Sequence, residues 1–465
     1  MVGVPGRSKA CSTCRKRRKG CDRRLPGCGQ CEKVGLPCGG YARELVFVNS
    51  TKPSLSCKVA TGALSEALVR SADEERYLGQ FWSAYLPNGR ALPSDATQDA
   101  LEGWSNTIQA LYPTDGVLRK TVLAMSVSSC GRDEGNIELK ERGLRLYSSA
   151  LQDMAVALRI PSKARSDAIL TASKLFSLYE AMFGADDRNK VTQAKSWIVH
   201  NSGEISILAA RGADQYIYGH AHRLFVDGRL HLTLSAIRAR KKSILSNQEW
   251  KTIPWSYHKK TPKDLLLDVL VEMPRLMEES DILQSCDSPT QRDCCTKMLI
   301  NDCWHFDKQL REWLENHAPK QILRTPDTES PTLIDTTDLG SAHIMTLYWS
   351  VCIILYSIMR SVMGTEARLP ERGDIKAYCR NIIRTIPIFF HPAVGTFRAH
   401  LATFPMGLVM RNLDLFEPEE RAVEQRLLES CCRTQGGAAI GKFLKSLELD
   451  TIEQKKLSNI KGFAL

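Results

Sequence analysis

From Ser71 onward the apolar residues recur at helical spacing. Ser71 with Glu74 reads as a helix-starting capping box, after which Tyr77, Phe81, Trp82 and Tyr85 share one face. Trp104, Ile108 and Leu111 make a second stripe. Leu118 to Ser128, Ile137 to Ile160 and Ala168 to Phe183 come next, set apart by Pro113, Gly131 and Pro161. Trp197, Ile205, Leu208 and Ala209 form another stripe that ends at Gly212. Long helices are expected at 224–245, 263–279, 289–317, 341–363, 374–386 and 418–432, and the ends around Gln435 and Lys455 suggest a final helix pair. The period-two alternation of a strand occurs only briefly, at 44–48. Residues 71–465 therefore read as one large all-α domain whose aromatic and leucine stripes are core. Ala342 to Met359 contains no Asp, Glu, Lys or Arg and reaches the length of a membrane span. With His343, Thr346, Ser350 and Ser357 inside it and helices on both sides, it reads as a buried central helix.

The first seventy residues follow neither period. Residues 41–70 look like a linker, punctuated by Pro53 and Gly62 and filled with Ser and Thr. Its leucines, at 45, 55, 64 and 68, fit no heptad, so no coiled coil is expected there. Before it, at 8–40, stand six cysteines, Cys11, Cys14, Cys21, Cys28, Cys31 and Cys38, in the spacing C-x2-C-x6-C-x6-C-x2-C-x6-C. Thiolates are soft ligands, and four suit tetrahedral zinc. Six close either one four-sulfur site with two left over, or two sites if two sulfurs bridge. The first histidine is His200, so a Cys2His2 finger is excluded, and no H-x-E precedes the cysteines as in a zinc deaminase. A disulfide framework needs an oxidising compartment, and no apolar leader segment precedes Cys11.

Charge sharpens the picture. The chain carries +11, and its first forty residues hold ten of the 63 bases but two of the 52 acids. The N-terminus is thus the part suited to a polyanion. Its densest run is Arg15-Lys16-Arg17-Arg18-Lys19, between the second and third cysteines. A metal buffer would not need this run, whereas contacts to phosphate and to guanine edges would. The same five residues suit a nuclear localisation signal.

On the six cysteines, the basic run, Asp22, Pro26 and Gly35, residues 8–40 resemble the fungal zinc binuclear cluster, the two-zinc, six-cysteine DNA-binding module of fungal transcription factors. The resemblance implies two Zn2+ ions bridged by Cys11 and Cys28, one completed by Cys14 and Cys21, the other by Cys31 and Cys38. It implies short helices over about 12–19 and 29–34, related by a pseudo-twofold axis. It also implies that Arg17 and Arg18 read a CGG-like triplet in the major groove. Arg15, Lys16 and Lys19 suit phosphate contact, with Arg7, Lys9 and Arg23 as further candidates, while Arg23 and Arg24 read equally as a solvated loop. Gly20 departs from the family, which usually has a base before the third cysteine, and so lacks one phosphate contact. Residues 75–455 resemble the fungal-specific transcription factor regulatory domain at Phe81 to Pro87, at Trp197 with His200 and Gly203, at Ala210-Arg211-Gly212, and at Gln248-Glu249-Trp250 with Pro254-Trp255.

Together these features lead to the expectation of a zinc-dependent, sequence-specific transcription factor of RNA polymerase II genes, nuclear, with double-stranded DNA and the transcription machinery as partners. Regulators of this build often serve nutrient use or secondary-metabolite gene clusters. With no coiled coil, binding as a monomer or pairing through the helical domain is expected. The alternative is a helical small-molecule-binding or scaffold protein with a non-specific nucleic-acid anchor. No G-x-S-x-G, H-E-x-x-H, G-x-x-x-x-G-K-[ST] or post-strand G-x-G-x-x-G occurs, so no catalysis is expected. His220, His222 and His231 read as ordinary helix and loop histidines. Cys294, Cys295, Cys303 with His305, and Cys431-Cys432, read as idle thiols, since adjacent helical residues point about 100° apart. Arg238 to Lys242 reads as a solvated helix end.

Overall fold

The computed structural model describes residues 10–41, 66–92, 101, 103–184, 190–320, 334–364, 369–434 and 437–462. The chain divides into two compact units, Met1–Leu64 and Ser65–Leu465.

The first unit holds two short helices, α1 (Ser12–Lys16) and α2 (Gly29–Glu32). Each starts on a cysteine whose own sulfur caps it: Cys11 Sγ accepts from the Cys14 N–H and Cys28 Sγ from the Cys31 N–H, both at 3.3 Å. Each ends in the same backbone motif. The Lys19 N–H donates to the Cys14 carbonyl and the Leu36 N–H to the Cys31 carbonyl, closing the last turn through a left-handed residue. That residue is Gly35 in the second half, at φ +65°, but Arg18 in the first, at φ +52°. Both helices are shorter than the family resemblance implies, because these turns end them.

Among its described residues the second unit is built of helices joined by turns and loops, with no strand. Its helices are α3 (Glu66–Tyr85), α4 (Trp104–Leu111), α5 (Gly116–Asp133), α6 (Ile137–Ala157), α7 (Pro161–Ala164), α8 (Asp167–Phe183), α9 (Lys190–Arg211), α10 (Gly219–Ala239), α11 (Gln248–Thr252), α12 (Pro262–Leu270), α13 (Met273–Gln284), α14 (Pro289–His317), α15 (Thr336–Met363), α16 (Ile375–Phe389), α17 (Arg398–Arg411), α18 (Pro418–Arg433) and α19 (Ala438–Gly462). Polar side chains start many of them. Asp115, Asn136, Ser166, Ser288 and Asp335 cap α5, α6, α8, α14 and α15, and Thr261 with Asp264 forms a full capping box on α12. The membrane-length stretch lies in α15. The most apolar window of that helix is 94% buried, against α13, α14, α16 and α17. It is the central core helix that the sequence suggested.

Several boundaries depart from the sequence reading. Ser71 and Glu74 do not start a helix, because α3 already runs from Glu66. Gly131 lies inside α5, where it permits close contact. A Cβ there would meet the Lys140 nitrogen at 2.7 Å, and one at Gly143 would meet the Ser128 nitrogen at 3.0 Å. Their absence lets α5 and α6 pair along most of their length. The 263–279 segment breaks into α12 and α13, with Pro274 in the first turn of the second. The helix expected to reach 245 ends at Ala239, where Arg240 turns left-handed at φ +51°. The basic run there is not simply solvated. Arg238 donates to Asp450 and to the Leu447 carbonyl, Arg240 binds Asp281 and Lys241 binds Glu278. The strand-like 44–48 stretch and most of the 41–70 linker lie outside the described residues.

A buried polar knot fixes α14 against α15. Asp307, 2% exposed, accepts from the Tyr356 hydroxyl at 2.5 Å and from Arg372 Nε and Nη2 at 3.0 and 2.9 Å. Burial pushes its carboxyl up, but the bonds from Arg372 and Tyr356 outweigh this and hold it below its ordinary range. Asp307→Ala should cost about 2 kcal/mol in urea unfolding at neutral pH, since the buried Tyr356 hydroxyl loses its acceptor. A carboxylate with a depressed native pKa stabilises above its unfolded value and stops doing so as pH falls through the native one. The penalty should therefore shrink below about pH 4. An equal penalty at both pH values would assign the loss to packing alone.

Candidate metal centre and nucleic-acid interface

The sequence brings six sulfurs together by a repeat. Cys11, Cys14 and Cys21 correspond to Cys28, Cys31 and Cys38, each pair 17 residues apart. Each half closes onto the other. The Asp22 carboxylate, just after the third cysteine, accepts from the Gly29 N–H at 3.0 Å and so caps α2. In the other half, the Gly40 carbonyl accepts from the Ser12 N–H at 3.0 Å at the start of α1. Gly29 has to be glycine for this, because a Cβ would sit 2.7 Å from Asp22 Oδ2. Tyr41 adds a clasp, donating to the Arg24 carbonyl at 3.0 Å with its hydroxyl 3.9 Å from Cys21 Sγ.

The sulfurs form two groups of four, Cys11, Cys14, Cys21, Cys28 and Cys11, Cys28, Cys31, Cys38, each with all sulfurs within 4.8 Å. The groups share Cys11 and Cys28, whose sulfurs are 3.6 Å apart. Four sulfurs on a tetrahedral zinc, each at about 2.3 Å, stand about 3.8 Å from one another. Within the groups, Cys11–Cys28 and Cys14–Cys28 at 3.6 Å and Cys11–Cys31 at 3.8 Å match that edge. Among the described residues these are the only clusters able to hold a metal.

The electrostatics suit a cation. The Cys11 N–H donates to Cys21 Sγ and the Cys28 N–H to Cys38 Sγ, both at 3.4 Å. These bonds draw the two thiols down, to about 6 and about 7. Burial pushes Cys14 and Cys28 up. A cation at the centre would favour the thiolate form of all six.

The basic run leaves this centre outward. Cys14 is buried, while Arg15, Lys16, Arg17, Arg18 and Lys19 are all exposed. The pseudo-symmetric positions in the second half are Glu32, Lys33, Val34, Gly35 and Leu36, so only the first half offers a continuous run of positive charge at its helix end. Arg24 is engaged with Glu32. Arg7 and Lys9 lie outside the described residues. The sequence did not disclose that Arg18 adopts the left-handed conformation.

Among the described residues the other histidines and cysteines form no group able to hold a metal. His231 binds Glu204 at 2.7 Å, while His222 bonds through Nδ1 to the Tyr216 carbonyl at 3.0 Å and stacks on His258 at 4.2 Å. Cys294 and Cys295 are exposed and Cys303 is buried, its thiol pushed up by burial to about 12.

Comparison with known proteins agrees with this geometry. The family described as Fungal Zn(2)-Cys(6) binuclear cluster domain matches residues 9–45. The Saccharomyces cerevisiae protein named Arginine metabolism regulation protein II is 56% identical over 43 residues, which is 9% of this chain and 5% of that protein. No solved structure matches. With its six cysteines, two four-sulfur groups and this match, the N-terminal module of the chain belongs to the fungal Zn(2)-Cys(6) binuclear cluster family.

Proposed function

We propose that the chain is a zinc-dependent, sequence-specific DNA-binding transcription factor acting in the nucleus on RNA polymerase II genes. The observation that carries this reading is the pair of four-sulfur groups sharing Cys11 and Cys28, with the exposed run Arg15 to Lys19 leaving it. Two Zn2+ ions would be held by Cys11, Cys14, Cys21, Cys28, Cys31 and Cys38. Metal bonds would supply the rigidity that the small unit lacks, and so aim the basic helix end at the major groove. Arg17 and Arg18 take guanines of a CGG-like triplet, the commonest pairing for such side chains. Arg15, Lys16 and Lys19 neutralise phosphate, and the same run serves nuclear import. Residues 41–70 link this module to the helical domain at 71–465, which regulates and engages the transcription machinery. Control of a secondary-metabolite gene cluster is the proposed role, resting on resemblance to regulators of this build.

Binding-site selection from random duplexes by the full-length chain, at physiological salt with and without a zinc chelator, tests the reading. CGG-containing sites should emerge and vanish on chelation, and the number and spacing of triplets would report monomer or dimer. Enrichment of no sequence, or binding that survives chelation, would reduce the basic run to an electrostatic anchor.

A further inference from the structure

The helical unit contains a cleft of about 450 Å³ between α6, α7, α8 and α9. Its body is apolar, with Leu151, Met154, Leu158, Phe176 and Ile207 among its walls, and this volume is in the range that small ligands fill. Leu158 and Val199 remain 43% and 65% exposed, so the cleft opens apolar surface to water. Its rim has one sign of charge. Arg165 lines the cleft itself, and Arg159 and Lys163 flank it on the same short segment. All three are exposed, and no ion pair joins any of them to an acid among the described residues. No acid occurs between Met154 and Ser166. The nearest carboxylates in sequence on the flanking helices are already engaged, Asp153 by Lys120, Asp167 by Arg211 at 2.7 Å and Glu204 by His231 at 2.7 Å. Within the cleft stand Ser173 and His200, the latter held through Nε2 by the Tyr147 hydroxyl at 2.8 Å.

An apolar slot beneath unpaired cations suits one class of occupant. We infer that this cleft binds an amphipathic small-molecule carboxylate, its chain or ring against Met154, Phe176 and Ile207 and its carboxylate at Arg165. Burial of the apolar body supplies most of the affinity, and a charge-assisted bond to the guanidinium selects the acid over a neutral analogue. The site is independent of the cysteine module, so the DNA-binding reading can fail without affecting it.

Calorimetric titration of the full-length chain with decanoate and with 1-decanol provides the test. Decanoate should bind saturably and about tenfold more tightly than decanol, a preference that shrinks as salt is raised. Arg165→Glu should remove the preference while leaving decanol binding in place. Gly203→Leu should abolish both. Gly203 is a helical position where a Cβ would meet only Ser173 Oγ, at 4.0 Å, so the longer side chain can enter the cleft without disturbing α9. Failure of both probes to bind, a preference for decanol, or binding unchanged in Gly203→Leu would each overturn the inference. An acidic amphipathic peptide that binds where decanoate does not would overturn it as well, and would reassign the cleft to a protein partner.

Discussion

Cys28→Ala should unfold the N-terminal module, strip the chain of zinc and abolish specific DNA binding. The reason is what the module lacks. Among its described residues the buried core consists of Cys11, Cys14, Cys28 and Cys31, with only Ala10, Tyr41 and the remaining two cysteines packed against it. So little apolar surface cannot offset the conformational entropy of ordering about thirty residues. Structural zinc contributes folding free energy on the order of 10 kcal/mol or more in small modules of this kind. Cys28 belongs to both four-sulfur groups, accepts the Cys31 N–H and donates its own N–H to Cys38. Its loss therefore removes a ligand from each group and the sulfur that caps α2. Cys21 belongs to one group alone, so Cys21→Ala should leave part of the metal in place. Zinc content by atomic absorption, with amide exchange over residues 10–41, reads the difference. Far-UV circular dichroism would not, because the helical unit dominates it. A Cys28→Ala chain that keeps its full zinc and binds its selected site would refute the bridging arrangement.

The parts legible in the sequence share a physical cause. The cysteine spacing was legible because coordination chemistry tolerates few residue types and few separations. The α14 boundaries, Pro289 and His317, were legible because Ser288 and Pro289 start the helix and a long stripe runs without interruption. The division between α12 and α13 had a signal in Pro274, whose ring cannot continue a helix interior, but the apolar stripe across Val271 and Met273 masked it. The end of α10 had none, because a left-handed arginine replaces the usual glycine at Arg240. Helix α17 carries Pro405 inside it and only a weak stripe, and it was not anticipated. Arg238 finds Asp450 at 212 residues' separation, which no local pattern can encode. In the metal centre, the cap of α2 by Asp22 is likewise a tertiary bond, although Gly29 directly after Cys28 hinted at a close approach.

Arg17→Ala and Arg18→Ala should each cost about 1–3 kcal/mol on the selected site, and together roughly twice that, while relaxing the sequence preference. Lys16→Ala serves as the contrast, since loss of a phosphate contact weakens all duplexes alike and lowers the salt slope by about one. Arg18 needs a second substitution to be interpreted. It occupies at φ +52° the position that Gly35 occupies in the other half, so its backbone is held where glycine is favoured by about 1 kcal/mol. Arg18→Ala removes the side chain and keeps this strain, whereas Arg18→Gly removes both. If the guanidinium reads a base, the two variants should lose the same affinity and differ only in the stability of the module, with glycine the more stable. If instead the arginine matters because its turn fixes the helix end, Arg18→Gly should bind nearly as well as the parent. Titrations of both variants against the selected and a scrambled duplex separate the cases. Equal losses on the two duplexes would remove Arg18 from base reading altogether and leave Arg17 as the sole candidate.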